Sequence, residues 1–157
     1  MAPTVILVTG ANRGLGKGLL ERYLKLPNHT VIAANRNPDH PTSKELSKLP
    51  TAKGTKLVVV KLDASFWQDA FDAVKTLEGQ GIDHLDIVIA NAGVAYCWPT
   101  VAEVKLDDLI AHMEADAYGV LSSYQAVRPL LLQKSKKEPM YSIMGTTAGS
   151  LKQVKAT

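Results

Sequence analysis

The chain has 157 residues, a net charge of +3, 46% hydrophobic residues and 21% charged residues, a balance typical of a folded, water-soluble protein rather than a disordered one. No apolar run approaches the roughly 20 residues that a membrane-spanning helix requires, and the apolar run that begins at Val5 leaves us expecting no signal peptide before it. The weak charge, and the lack of aromatic residues in the lysine cluster at 134–137, argue against a nucleic-acid partner. A single cysteine, Cys97, cannot form an internal disulfide bond, so we expect a reducing, cytoplasmic location.

Five short apolar runs alternate with helical patterns along the chain. Each run has the length and composition of a strand that is buried on both faces. The runs lie at residues 5–8, 31–34, 57–60, 87–90 and 141–144. Because strands that alternate with helices form parallel sheets with right-handed crossovers, the pattern predicts one α/β domain over residues 1–157.

Apolar residues at helical spacing fill most of the segments between these runs. The patterns lie at residues 19–26, 66–77 and 106–130, and the last is the longest. We expect its apolar face, from Leu106 to Leu130, to be buried. Residues 38–53 contain three prolines and are predicted to form a loop with at most a short helix.

The turn after the first predicted strand is rich in glycine. Residues 9–16 read T-G-A-N-R-G-L-G, and a helical pattern begins at Lys17. A pyrophosphate binds backbone N–H groups at a helix N-terminus, where a Cβ atom would hold it away. The spacing G-x-x-x-G-x-G differs from the common G-x-G-x-x-G, so an ordinary strand-to-helix connection is the alternative. The residues predicted to bind a dinucleotide are Gly10, Asn12, Arg13, Gly14, Leu15 and Gly16.

Three motifs in chain order resemble landmarks of the short-chain dehydrogenase/reductase family. They are the glycine turn, Leu62-Asp63 after the third predicted strand, and Asn91-Ala92-Gly93 after the fourth, where Ala90 replaces the first asparagine of the family's usual Asn-Asn-Ala-Gly. The resemblance covers essentially the whole chain and implies a Rossmann-type, doubly wound parallel sheet of five strands in the order 3-2-1-4-5 that binds NAD or NADP. It also implies that Asp63 accepts a hydrogen bond from the adenine amine. Asn91, Ala92 and Gly93 are then expected to close over the adenine ribose and brace the central strand.

The end of the second predicted strand lacks the acidic residue that would bind the 2′-hydroxyl of NAD. Asn35 stands in that place, Arg36 follows it, and Arg13 lies in the glycine turn. All three are predicted to bind the cofactor. Two guanidinium groups could converge on a 2′-phosphate through charge-assisted hydrogen bonds, so we predict NADP(H) as the cofactor. The alternative is that both arginines are ordinary surface residues.

The resemblance implies four catalytic groups: a tyrosine, a lysine four residues after it, a serine and an asparagine. None of the five tyrosines here is followed four residues later by lysine, and the family's helix that carries this pair lies beyond Thr157. Thr146 stands at the serine position and Asp116 at the asparagine position. A threonine hydroxyl can still donate to a substrate oxygen. Asp116 is predicted to be either a buried carboxylic acid that donates a proton or an ordinary polar residue near a helix kink.

Two functions are open from the sequence. The chain is either part of an NADP(H)-dependent carbonyl reductase or alcohol dehydrogenase, or a complete homologue without redox activity. The second would act as a cyclase- or isomerase-type enzyme or as a cofactor-binding scaffold. The four histidines lack ligand spacing, so no metal site is predicted.

The partners predicted are a small molecule and a second copy of the chain. Tyr96 and Trp98, after the fourth predicted strand, favour an apolar or aromatic carbonyl compound, although packing on the next helix explains them equally well. Residues 141–147 carry no charge and no proline. With nothing beyond the fifth strand, its open edge would pair with another chain, which predicts a homo-oligomer.

Overall fold

A computed structural model of the protein describes residues 3–132 and 138–146. Within these residues one sheet contains β1 (Thr4–Thr9), β2 (His29–Asn35), β3 (Lys56–Lys61), β4 (Ile87–Ala90) and β5 (Met140–Ile143). All neighbouring strands are parallel, and their order is β3-β2-β1-β4-β5. The predicted Rossmann-type sheet and its strand order are therefore confirmed.

Four helices lie in the segments where helical spacing was found, and one short helix lies in the predicted loop at residues 38–53. They are α1 (Gly14–Leu24), α2 (Pro41–Lys44), α3 (Trp67–Gly79), α4 (Leu106–Met113) and α5 (Gly119–Leu132). A 3₁₀ turn at Glu45–Lys48 follows α2, and a π-helical segment at Glu114–Tyr118 joins α4 to α5. In the described part of the chain, no helix combines the length and the apolar character that crossing a bilayer requires.

Two hydrophobic cores cover the two faces of the sheet. Because successive side chains on a strand point to opposite faces, Val5 and Leu7 join the core with α3 and α5, whereas Ile6 and Val8 join the core with α1. Leu20 of α1 is fully buried in the second core. The sheet is thus doubly wound, with its carboxyl edge left clear of helices for the loops that follow the strands.

The strands at the two ends of the sheet differ from the expectation of burial on both faces. β3 is largely half-buried, and β5 has two exposed and two half-buried residues. β5 pairs with β4 on one side, and no strand within residues 3–132 and 138–146 pairs with its other side. The edge on which the predicted self-association depends is therefore present in the described structure.

The expected apolar face of residues 106–130 is mostly exposed, which corrects the prediction. Leu106 is 69% exposed and Leu109 50%, and α4 buries none of its residues. The π-helical segment changes the number of residues per turn, so one helical period does not hold across the whole segment. The residues that α5 buries are instead mostly small: Gly119, Ser122, Ser123, Ala126, Val127, Leu130 and Leu131.

Tyr141 fixes α5 against β5. Its hydroxyl donates a hydrogen bond to the carbonyl of Val120 at 2.9 Å and lies 2.6 Å from the Ser123 hydroxyl. Burial raises the pKa of the Tyr141 phenol above its ordinary value, with the Ser123 hydrogen bond acting in the opposite direction. The ring is therefore a neutral structural group at physiological pH.

Candidate nucleotide-binding site

The glycine turn leads from the end of β1 into α1. Gly10 and Gly14 have φ angles of +64° and +55°, in the left-handed region that glycine adopts without steric cost. The N–H of Gly10 donates to the carbonyl of Ala34 at 2.8 Å, which ties the turn to β2. These two glycines therefore let the chain reverse direction above the carboxyl end of the sheet.

Gly16 is required for a different reason. A Cβ atom at this position would overlap the carbonyl oxygen of Gly10 and would lie 2.5 Å from Nδ2 of Asn91. Such distances are far below a van der Waals contact, so only glycine lets the first turn of α1 pack against the glycine turn. The clearance that the sequence suggested for a phosphate is, at Gly16, clearance for protein atoms.

Asn91 joins the end of β4 to the end of β1. Its Nδ2 donates to the carbonyl oxygens of Thr9 and Gly10, at 2.9 and 3.3 Å. The buried hydroxyl of Thr9 accepts from the backbone N–H groups of Asn91 and Ala92, each at 2.9 Å. Six polar groups are thus satisfied at the point where the two central strands end.

A cleft of about 610 Å³ lies at this carboxyl edge. It sits where crossovers lead in opposite directions from β1, which is the usual ligand position in open parallel sheets. All the predicted cofactor residues line it except Asn35. Those that do are Gly10, Asn12, Arg13, Gly14, Leu15, Gly16, Arg36, Asp63, Asn91, Ala92 and Gly93. The turns after β1, β2, β3 and β4 therefore meet around one cavity.

Asn35 lies beneath the glycine turn and not in the cleft. It follows Val31 and Ala33 on the same face of β2, so its side chain points into the core and is fully buried. Its Oδ1 accepts a hydrogen bond from the N–H of Ala11 at 2.9 Å, while its Nδ2 has no hydrogen-bond partner among the described residues. The prediction that Asn35 binds the cofactor is thus corrected, because this buried side chain positions the glycine turn.

Positive charge dominates one end of the cleft. Arg13 and Arg36 line it with exposed side chains, and Asp39, close to Arg36 in sequence, pairs with Lys44 at 3.2 Å. Among the described lining residues, Asp63 is the only carboxylate. An anionic ligand is therefore favoured next to the two arginines.

Asp63 is held at the opposite side of the same cleft. Its Oδ1 accepts from the N–H of Ser65 at 3.1 Å, and its own N–H donates to Oδ2 of Asp69 at 2.9 Å. Asp69 is in turn paired with Lys61 at 3.0 Å. These contacts fix the backbone and one carboxylate oxygen of Asp63 beside the cleft.

Several residues that line the cleft were not predicted to bind the cofactor. They are Asn37, His40, Thr42, Leu62, Ala64, Ser65, Val94 and Ala115. A signal existed for the loop after Arg36, because Pro41 is typical of the first position of a helix and brings the preceding residues into a compact turn. Within residues 3–132 and 138–146, no three His, Cys, Asp or Glu side chains are arranged to bind a metal ion.

The two candidate catalytic residues do not line the cleft. Asp116 lies on the π-helical segment with an exposed side chain, so the hypothesis of a buried proton donor is wrong. Its Oδ1 accepts from the N–H of Val94 at 2.9 Å and thereby holds the loop after β4, which does line the cleft. Thr146 is exposed and follows β5 at the same carboxyl edge.

We expect Asp116 to act as an acceptor for Val94, and this role does not need its charge. Asp116→Asn should leave hydrogen exchange at the Val94 amide nearly unchanged, because the amide oxygen can still accept. Asp116→Ala should speed that exchange and lower the free energy of unfolding by about 1 kcal/mol. Glu114→Ala, on the same exposed segment, is the control. Equal exchange at Val94 in all three variants would contradict the anchoring role.

Comparison with known proteins agrees with this geometry. Residues 4–138 match the sequence profile described as short chain dehydrogenase. The norsolorinic acid ketoreductase nor1 of Dothistroma septosporum is 41% identical over 152 residues, which are 96% of this chain and 56% of that protein. The norsolorinic acid ketoreductase of Aspergillus parasiticus is 40% identical over 149 residues, 94% of this chain and 54% of the relative.

A solved structure has the same fold. The NADPH-bound carbonyl reductase from chicken fatty liver matches with a TM-score of 0.82 and 28% identity, over 98% of this chain and 61% of that one. The chain therefore spans between about half and two thirds of the length of these three proteins. With a profile match over most of its residues and a superimposable sheet, the chain belongs to the short chain dehydrogenase family.

Proposed function

We propose that the chain forms the NADP(H)-binding part of a reductase that acts on the carbonyl group of an apolar or aromatic small molecule. The observation that carries the proposal is the composition of the cleft, where the glycine turn, Arg13 and Arg36 meet. Asp63 is the one carboxylate among its described lining residues, and it lies at the opposite side from the arginines. The alternative of a scaffold or isomerase-type enzyme without redox activity has no contact in the described structure that favours it.

The residues of the cleft suit the adenosine half of the cofactor. The N-terminus of α1 begins at Gly14, so its free N–H groups offer donors to a pyrophosphate. Arg13 and Arg36 offer guanidinium groups to a 2′-phosphate, and Asp63 offers an acceptor to an amine. An acidic residue at Arg36 would repel that phosphate, so the charges favour NADP(H) over NAD(H).

A bound nicotinamide cofactor supplies the hydride for carbonyl reduction. The chain's own residues hold its adenosine half at the carboxyl edge, and the loop after β4 forms the neighbouring wall. In that loop Trp98 is 87% exposed, and the ring of Tyr96 makes an edge contact with His112 at 5.3 Å between centroids. The exposed ring of Trp98 supports an apolar or aromatic substrate, whereas Tyr96 packs against α4. The ketoreductase names of two relatives support a ketone as the substrate's reacting group.

Direct binding tests the cofactor half of the proposal. Titration of the protein with NADPH and with NADH, followed by cofactor fluorescence, should give a Kd at least about tenfold lower for NADPH, which corresponds to 1.4 kcal/mol. Adenosine 2′,5′-bisphosphate should displace NADPH, because the arginines contact the part that both ligands share. Equal affinity for both cofactors, or no binding of either, would overturn the assignment.

Reduction is tested separately on protein purified from its native source, with the intact mass measured on the same sample. A ketone-dependent loss of NADPH absorbance with aromatic ketones is expected. Tight NADPH binding without turnover of any ketone in a panel would contradict the reductase part of the proposal and leave the cofactor assignment standing.

A further inference from the structure

A chain of hydrogen bonds joins the glycine turn to the loop after β2. Nδ2 of Asn12 donates to Oγ1 of Thr42 at 2.7 Å, and this oxygen lies 2.8 Å from Nδ1 of His40. The backbone N–H of Thr42 also donates to the same Nδ1, at 3.3 Å. The two segments that carry Arg13 and Arg36 are thus connected by side chains and not only through the sheet.

These contacts determine which nitrogen of His40 carries the proton. A backbone N–H can only donate, so Nδ1 is an acceptor and the proton of the neutral ring is on Nε2. Thr42 accepts from Asn12, so its own hydroxyl hydrogen is available to Nδ1. Nε2–H is therefore the donor of His40 that is left for a ligand.

The surroundings of His40 favour an anion. His40, Arg13 and Arg36 line the same cleft, and all three side chains are exposed. Asp39, the residue before His40, is paired with Lys44 at 3.2 Å, and its neighbour in sequence Pro38 is uncharged. The loop around His40 thus presents donors to the cleft while its one carboxylate is neutralised by a lysine.

We propose that His40 donates its Nε2–H to the 2′-phosphate of NADP(H), with Asn12 and Thr42 holding the imidazole for this contact. His40 would then determine specificity together with the arginines, because NAD(H) lacks the group that it binds. The inference rests on the proposed function, since it assumes that the cleft binds the phosphorylated cofactor.

Substituting His40 with asparagine or with glutamine distinguishes the role of Nδ1 from the role of Nε2. The Oδ1 of asparagine can replace Nδ1 as the acceptor that caps α2, but asparagine has no atom at the place of Nε2. Glutamine places an amide donor near the place of Nε2. We expect His40→Asn to raise the Kd for NADPH about tenfold, as for the loss of a hydrogen bond to a charged group, with the Kd for NADH unchanged. His40→Gln should recover much of the NADPH affinity.

His29 provides a matched control, because it lies at the opposite, amino end of β2. His29→Gln should leave both dissociation constants as they are. Thr42 is tested as a positioning residue: Thr42→Val should raise the Kd for NADPH and not for NADH, and Thr42→Ser, which keeps the hydroxyl, should restore it. This rescue would not be seen if Thr42 only filled space.

Two results would overturn the inference while the proposed function stands. One is that His40→Asn prefers NADPH over NADH as strongly as the wild type does. The other is an equal rise of both dissociation constants, which would mean that His40 only orders the loop. A wild-type protein without preference for NADPH would instead overturn the proposed function, and the role of His40 with it.

Discussion

Alanine at Gly16 is expected to lower the free energy of unfolding by about 2–3 kcal/mol, the upper part of the usual range of about 1–3 kcal/mol for forcing an extra carbon into a packed site. Alanine at Gly18, two residues later in the same helix, is expected to raise it by about 0.5–1 kcal/mol, since alanine is the better helix former. The same substitution at two positions of one helix should therefore change the free energy of unfolding in opposite directions.

The difference follows from what each new methyl group would contact. At Gly16 it would meet the Gly10 carbonyl and Nδ2 of Asn91, whereas at Gly18 nothing lies within 4 Å. The glycine turn cannot easily move away, because Gly10 packs so closely on Ala92 that a Cβ on Gly10 would lie 3.0 Å from Cα of Ala92. Moving Asn91 would also break its bonds to the carbonyls of Thr9 and Gly10.

Urea unfolding of the two variants and the wild type measures these changes, and NADPH titration shows their effect on the cleft. Gly16→Ala should also weaken NADPH binding, because the turn that lines the cleft has to shift. Gly18→Ala should bind as the wild type does. If both variants were equally stable, the packing of α1 against the turn would not be what requires glycine at position 16.

The fold could be predicted because its strongest determinants are local in the sequence. The apolar run at Val5–Val8 and its counterparts are short and typical of strands, and the helical spacing between them leaves few topologies. The strand order depended on the resemblance of the glycine turn, Asp63 and Asn91 to family motifs. The residues of those same motifs line the cleft, because each motif directly follows a strand at the carboxyl edge.

Other features depend on contacts that composition does not show. Asn35 was predicted to bind the cofactor because of its position at the end of a strand, but the alternation from Val31 through Ala33 directs it to the core. The exposed face of residues 106–130 escaped prediction because a π-helical segment interrupts the helical period. Gly119 likewise marks a contact that composition does not show: α5 begins against the backbone of Ala64, which a Cβ at this position would overlap.

His40 shows a further limit of sequence reasoning. Nothing in the pattern from Arg36 to Thr42 indicates that Asn12, some thirty residues earlier, bonds to Thr42. That contact exists because β1 and β2 are paired in parallel, so that the turns after them leave the sheet side by side. The residues that set the charge at this end of the cleft are thus brought together by strand pairing and by the Asn12–Thr42 contact, and not by closeness in sequence.

Reversing the charge at Arg36 is expected to have the largest effect on cofactor binding. Arg36→Glu should raise the Kd for NADPH about 100-fold, or about 2.7 kcal/mol, through loss of charge-assisted hydrogen bonds and repulsion of the phosphate. The Kd for NADH should change little or fall, because a carboxylate at this position can accept from the 2′-hydroxyl of its ribose. The preference for NADPH should therefore disappear or reverse.

The backbone at this position is well fixed, so the effect should stay local. Asn35 precedes Arg36 and is bonded through Oδ1 to the N–H of Ala11, which sets the start of the loop relative to the glycine turn. Arg128→Glu makes the same change of charge on the exposed side of α5, outside the residues that line the cleft, and serves as the control. Any effect of net charge alone would appear equally in both variants.

Salt dependence gives an independent readout of the same contact. Exposed charges are screened at ionic strengths near 0.1 M, where the Debye length is about 10 Å. The Kd of the wild type for NADPH should rise with added salt more steeply than its Kd for NADH. In Arg36→Glu this difference should shrink, because one of the cations that attract the 2′-phosphate is gone. Parallel salt curves for the two cofactors in the wild type would mean that Arg13 and Arg36 do not contact the phosphate.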